Sequence, residues 1–284
     1  MARKAFRQQK KSSGGWWGTI KTIIIAVLIA LGIRTFLYEP FHIPSGSMVP
    51  TLLIGDYLLI SKFSYGYSRF SFPAAQPPFE GRFLDGEPER GDVIVFQVPS
   101  DPFGDPYIKR LIGLPGDRIQ MREGRLYING ELVDRAEATE ADVAELGGEG
   151  YQEMTGRLFV ETMPGGTRHL IREVSDSSGL DNTPVFCVPE GHYFFMGDNR
   201  DQSQDSRFGW TRDNLSGDGE IGACGEAAGE AWQHPEQVPV GFVPYQNLVG
   251  RADVIWFSIE DASFFEVWRW PDALRFERIF DGVH

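Results

Sequence analysis

The sequence predicts a mainly β protein whose antiparallel, curled sheets stand behind one N-terminal transmembrane helix. One apolar run, Trp16–Leu37, is long enough for a bilayer, and no second run approaches that length. Beyond Glu39 the apolar residues recur mostly with period two, the spacing of half-buried strands, in short stretches separated by turn residues. Asn129-Gly130 sits between two such stretches, the strongest two-residue hairpin signal.

Residues 1–15 form a basic tail. Positions 1–38 carry Arg3, Lys4, Arg7, Lys10, Lys11, Lys21 and Arg34 and no acid, so the rest of the chain holds 20 Lys/Arg against 40 Asp/Glu. A body that acidic repels phosphate, which excludes nucleic acid as a partner. The run "WWGTIKTIIIAVLIALGIRTFL" gives about 33 Å of helix at 1.5 Å per residue, matching a hydrocarbon core of roughly 30 Å. Lys21 and Arg34 near its ends can snorkel, and Trp16 and Trp17 suit the interface. A cleaved leader ending at Ala30-Leu31-Gly32 is the alternative, but those residues lie inside the apolar run with no polar region before them. We therefore expect a retained anchor over 16–38. The basic tail then faces the cytoplasm and everything after Tyr38 lies on the other side, where Cys187 and Cys224 either form a bridge or stay as two buried thiols.

In the body, Tyr57–Phe63, Asp92–Val98, Tyr107–Leu114, Arg118–Arg122, Arg125–Ile128, Glu131–Val133, His169–Val174, Val185–Val188, His192–Met196 and Asp253–Phe257 read as strands. Helical spacing is weak outside the anchor, except at Ala138–Leu146 and near the C-terminus. Phe72–Gly91, Arg135–Gly156 and Asn214–Gln237 read as loops or insertions. The aromatic tail "FFEVWRWPDALRFERIF" lies on the membrane surface or packs on the sheet, and packing is preferred.

Chemistry concentrates in three places. In "PSGSMVPTL" the hydroxyl of Ser47 needs a base to become a nucleophile. Gly46 frees the backbone to aim the Ser47 amide at a developing oxyanion, and Ser45 offers a hydroxyl to the same charge. None of the histidines (His42, His169, His192, His234, His284) has a neighbouring carboxylate placed to orient it, and metal-ligand spacing is absent, so no metal is expected. Lys109 in "YIKRLIGLPGD" is the better base. Alternation puts it on one face with Tyr107 and Leu111, where apolar neighbours strip its hydration and favour the neutral amine; a solvated strand lysine beside Arg110 is the bland alternative. The third place is "GDNRDQSQDSRFG". A hydrophobic strand, "HYFFM", runs into it, so its start is buried, and buried Asp198, Asp205 and Arg207 must pair. A hydroxyl of this loop can orient Lys109.

Taken together and in this order, "PSGSMVPTLLIGDYLLISKFSYG", "GDVIVF…YIKRLIGLPGD" and "GDNRDQSQDSRFGW", with "VGFVPYQNLVGRA" further on, resemble bacterial type I signal peptidase. The resemblance is close over 34–120 and 185–258, apart from an interruption at 211–238, and loose over 121–184. It implies a serine–lysine endopeptidase that removes signal peptides from exported preproteins after small residues, needing neither metal nor nucleotide. Ser47 matches the nucleophile, Lys109 the general base, Ser45 the oxyanion hydroxyl and Ser203 the serine that hydrogen-bonds the lysine. Ile43, Pro44, Leu52, Tyr107 and Ile108 match positions shaping small binding pockets, and Arg110, Asp198, Asp205 and Arg207 match structural ion pairs. The implied fold has two β sub-domains: a catalytic core over 39–120 and 185–258, a variable cap over 121–184, and a tail at 259–284. The implied setting is the bacterial inner membrane, with a monomeric, periplasmic catalytic body. One departure is Pro106 directly before Tyr107, with the acid displaced to Asp105, which bears on the groove's rim. A self-cleaving repressor-type protease shares the dyad but needs a DNA-binding module. A membrane-anchored β domain that only binds partners is the non-enzymatic rival.

Overall fold

The structure, a computed structural model, describes residues 16–72, 81–148, 155–210, 220–222, 238–260 and 266–284. In chain order the helix α1 (Trp16–Phe36) leads into β1 (Tyr38–His42), β2 (Asp56–Ser61), β3 (Val93–Phe96) and β4 (Tyr107–Gly113). Then come β5 (Arg118–Arg122), β6 (Arg125–Ile128), β7 (Glu131–Leu132), β8 (Asp134–Glu137), α2 (Glu140–Glu145), β9 (Arg157–Thr162) and β10 (Arg168–Glu173). The last elements are β11 (Phe186–Cys187), β12 (His192–Met196), β13 (Ile221–Gly222), β14 (Val243–Pro244), β15 (Leu248–Ser258) and α3 (Trp270–Ala273).

The helix α1 exposes its apolar side chains all round; only Thr35 is buried. Its 21 residues give about 32 Å, the length a bilayer core requires.

The largest sheet has seven strands in the order β1-β2-β15-β3-β4-β12-β14, each pair antiparallel. Both of its faces are covered. On β3, Val93 and Val95 join one core cluster while Ile94 and Phe96 join another, which contains Leu111 with Tyr107 against it. Register shifts in β12 and β15 add twist and curl the sheet. A five-stranded sheet, β13-β11-β5-β6-β7, packs Ile119, Leu126, Ile128 and Phe186 against Ile112, Phe194 and Met196 of the large sheet. It straddles the boundary expected at residue 120, since β5 starts at Arg118. The small sheet β10-β9-β8 docks through its edge: Arg172 N–H donates to the Asp198 carbonyl and Arg200 N–H to the Arg172 carbonyl, 2.8 and 3.0 Å.

The hairpin forms as expected. Asn129 and Gly130 both have positive φ, 55° and 82°, between Ile128 and its partner Glu131. Six strand assignments change, two of them the unforeseen two-residue strands β13, inside the stretch read as an insertion, and β14. β1 was not among the expected strands; it contains Pro40, which a strand tolerates on the sheet edge it occupies. β8 falls inside the acidic stretch read as a loop, where α2 also sits, capped by Thr139 and Asp142. β9 was not foreseen and joins β8 to β10. β15 runs eleven residues, not five, because its bulges break the alternation that reveals a strand.

The tail packs on the sheet. β3 covers the edge of β15 only as far as Arg251. Beyond it Ile255 and Phe280 exchange hydrogen bonds with the tail and the sheet respectively (Ile255 N to Asp281 O 2.9 Å, Phe280 N to Ile255 O 2.7 Å), and Val283 N donates to Asp253 O. Arg278, fully buried, fastens this segment: Nη2 donates to Asp56 Oδ2 (2.7 Å) and Thr51 O (2.9 Å), and Nη1 to Gly147 O (2.8 Å). Cys187 is disulfide-bonded; Cys224, the sequence's other cysteine, and most of the 211–238 interruption lie outside the described residues.

Candidate active site

Past β1 the chain stays extended through Ser45 (φ −135°, ψ 153°), then closes into a single 3-10 turn, Gly46–Met48. Met48 is fully buried and anchors this turn in the core beneath it. The loop after β12 holds it from the side: Asn199 N–H donates to Ser47 O (3.1 Å) and Asn199 Nδ2 to Gly46 O (2.9 Å).

Lys109, on β4 between β3 and β12, reaches this turn. Its Nζ lies 2.7 Å from Ser47 Oγ and donates to Ile108 O at 2.9 Å. The residue is 4% exposed, and loss of hydration brings its pKa down from 10.5 to about 8, against the opposing pull of the Asp205 and Asp198 charges. A neutral amine there keeps one N–H on Ile108 O and turns its lone pair toward the Ser47 hydroxyl proton. That is the geometry a general base requires.

The two ion pairs expected around the site are formed. Arg110 grips Asp198 with Nε and Nη2 (2.8 and 2.7 Å), Nη1 donates to Gly91 O, and Thr51 Oγ1 donates to Asp198 Oδ2 at 2.6 Å. Arg207 grips Asp205 (2.9 and 2.8 Å) and donates to Arg200 O; Asp205 also accepts Gly197 N–H. All four are fully or almost fully buried. Burial raises the Asp205 pKa, but Arg207 and the backbone donors outweigh it and hold the carboxyl below its usual value. These pairs fix the backbone on both sides of Lys109 and Asn199. Arg200 pairs equally deeply with Glu161 on β9, tying the small sheet to the same loop.

A cleft of about 460 Å³ opens over the dyad, lined by Phe41, Pro44, Ser45, Ser47, Tyr107, Ile108, Lys109 and Asn199 among others, with Asp105 and Pro106 on its wall. Ser45 is exposed and its hydroxyl caps nothing, so it is free to meet a ligand. Pro44, Tyr107 and Ile108 line the cleft as expected. Ile43 and Leu52 do not: both are buried in the core cluster with Met48, because Ile43 continues the pairing toward Asp56 and its side chain turns inward. The expected bond from Ser203 to Lys109 is not formed. Ser203 Oγ is buried without a hydrogen-bond partner, crowded against Gly197, where an added Cβ would meet it at 2.2 Å, and Ile108 O orients the amine instead. Among the described residues no histidine lines the cleft; His169 is wholly buried, its pKa pushed well down by burial and by Arg110 and Arg200. Sequence reasoning missed Asn199, although it lies inside the "GDNRD" run, and missed Thr51 and Arg278, whose roles come from distant partners.

The chain is similar to known proteins over most of its length. Residues 16–257 match the family model described as signal peptidase, peptidase S26. Signal peptidase I of Rickettsia akari is 37% identical over 293 residues, covering 97% of this chain and 94% of that protein. Signal peptidase I of Rickettsia typhi is 36% identical over 276 residues, covering 91% and 90%. A crystal structure of a signal peptidase I from Enterococcus faecalis V583, 25% identical, covers 58% of this chain and 96% of its own at a TM-score of 0.28. The chain belongs to the signal peptidase family, peptidase S26.

Proposed function

We propose that this protein is a membrane-anchored serine endopeptidase that cleaves signal peptides from exported preproteins, with Ser47 as nucleophile and Lys109 as general base. The observation that carries the reading is the 2.7 Å contact between Ser47 Oγ and a buried lysine nitrogen whose pKa is lowered to about 8. Neutral Lys109 takes the Ser47 proton as Oγ attacks the scissile carbonyl carbon. The oxyanion develops against the Ser47 amide and the Ser45 hydroxyl. Lysine, now an ammonium, gives its proton to the departing amine as the C–N bond breaks, leaving the signal peptide as an ester on Ser47. The neutral amine then takes a proton from water, whose oxygen attacks the ester; the signal peptide leaves with a free carboxylate and Ser47 recovers its proton from Lys109. Pro44, Tyr107 and Ile108 line the cleft where the residues beside the cut would sit, and the family resemblance supports an Ala-x-Ala-type end.

The basic tail supports a cytoplasmic N-terminus and a body beyond the inner membrane, in the periplasm, with lipid around α1. A monomer suffices, since both dyad residues come from one chain. The test is cleavage of a preprotein by detergent-solubilised protein. Ser47→Ala and Lys109→Arg should each lose roughly a thousandfold or more in kcat, the second because a guanidinium stays charged. Full cleavage by either variant would refute the scheme.

A further inference from the structure

The junction of α1 with the body is bonded at every step. The helix ends at Phe36 and β1 starts at Tyr38, all five of whose residues pair with β2, from Tyr38 opposite Ser61 to His42 opposite Tyr57. The last carbonyls of the helix are taken by the body: Tyr67 OH donates to Phe36 O at 2.6 Å and Lys62 N–H to Leu37 O at 3.0 Å. Around them Glu39 joins two cations. Arg34, from the last helical turn, donates to its Oε1 (2.8 Å), and Lys62 Nζ lies 2.7 Å from its Oε2 while also donating to Ser71 O (2.8 Å). Phe36 meets the rings of Tyr67 and Phe72 edge-on at 5.7 and 6.0 Å, and Tyr67 stacks on Phe83.

Lys62 is only 3% exposed. Burying a charged lysine is expensive, and an apolar pair would stabilise the junction as well. What the Arg34–Glu39–Lys62 network adds is direction, because its bonds fix the angle of the helix to β1. Ser47 lies ten residues beyond Leu37 in sequence. A flexible link of that length would let it wander over roughly 17 Å, more than the rise of several extended residues. Here the path is helix, paired strand and clamped turn, with Pro44 and Ser45 as the one unbonded step between strand and turn.

We propose that this collar (Arg34, Glu39, Lys62 and Tyr67) is a ruler. It holds Ser47 at one height above the bilayer and so decides which peptide bond of a membrane-embedded substrate is cut. The collar residues are positioning residues, away from the cleft, and the inference rests on the function proposed above.

The test uses full-length protein in phospholipid vesicles and a preprotein carrying two Ala-x-Ala sites three residues apart, about 10 Å when extended. Mass spectrometry of the products gives the ratio of the two cuts. The wild type should favour one site by roughly tenfold, since misplacement by an ångström or more carries large penalties at a reacting centre. Tyr67→Phe and Glu39→Gln should narrow the ratio to threefold or less, and two glycines inserted between Leu37 and Tyr38 should move the preference toward the distal site. A short soluble Ala-x-Ala peptide in detergent checks the chemistry separately, and all variants should cut it within about twofold of wild type. An unchanged site ratio in variants that cut the soluble peptide normally overturns the ruler. If Glu39→Gln is damaged on the soluble peptide too, Tyr67→Phe and the insertion decide. Failure of the wild type on both substrates would instead strike the proposed function.

Discussion

Lys109→Met tests the buried amine through stability. The folded protein holds Lys109 at a pKa of about 8, and the unfolded chain returns it to 10.5. Between those values the unfolded state binds the proton and the folded state does not, so stability rises with pH across that window; below pH 8 both states are protonated and the full burial penalty is present. At about 1.4 kcal/mol per pH unit, the penalty is about 3 kcal/mol at pH 7 and falls to about 1 kcal/mol at pH 10. Methionine fills similar space and carries no charge to desolvate. It also loses the contacts to Ser47 Oγ and Ile108 O, but that loss does not titrate. The difference in urea unfolding free energy between Lys109→Met and wild type, measured in detergent, should therefore shift by about 2 kcal/mol in favour of wild type from pH 7 to pH 10. A difference that stays constant over this range would show that the lysine is hydrated or permanently charged, and would refute the argument.

Arg278→Ala removes the closest cation from Asp56, which is fully buried and keeps Arg275 at 3.6 Å from its Oδ1; thermal unfolding should register a loss of about 3 kcal/mol. Asn199→Ala removes the side-chain bond to Gly46 O but keeps the backbone bond to Ser47 O. It should lower kcat roughly 10- to 100-fold with little change in KM, because the loosened turn misplaces the nucleophile rather than the binding cleft.

Much of this architecture was legible because its physics is local. β4, β5, β6 and β12 alternate or run apolar between turn residues, and Asn129-Gly130 fixes a hairpin by its own backbone preference. Ser47 and Lys109 were legible because glycine loosening, a serine and a strand lysine among apolar neighbours each carry a chemical meaning. Features that depend on distant partners were hidden. Arg278 reads as one more charge in an aromatic tail, and only folding sets it on Asp56, 222 residues away. Bulges conceal half of β15, and Pro40 argues against β1 until its place at a sheet edge is known. Ile43 and Leu52 were expected in the cleft because they match the family's pocket positions, yet both turn into the core beside Met48. Ser203 sits in the right loop, but its hydroxyl is buried against Gly197 without a hydrogen-bond partner.

The claim that a neutral lysine drives a serine nucleophile is tested most directly by rapid acid quench of the protein with an Ala-x-Ala ester substrate over pH 6 to 10, followed by peptide mapping. The account predicts acyl mass on Ser47 alone, forming at a rate that climbs with pH and levels off above about 8. Acylation at another residue, or a rate independent of pH across that range, would contradict it.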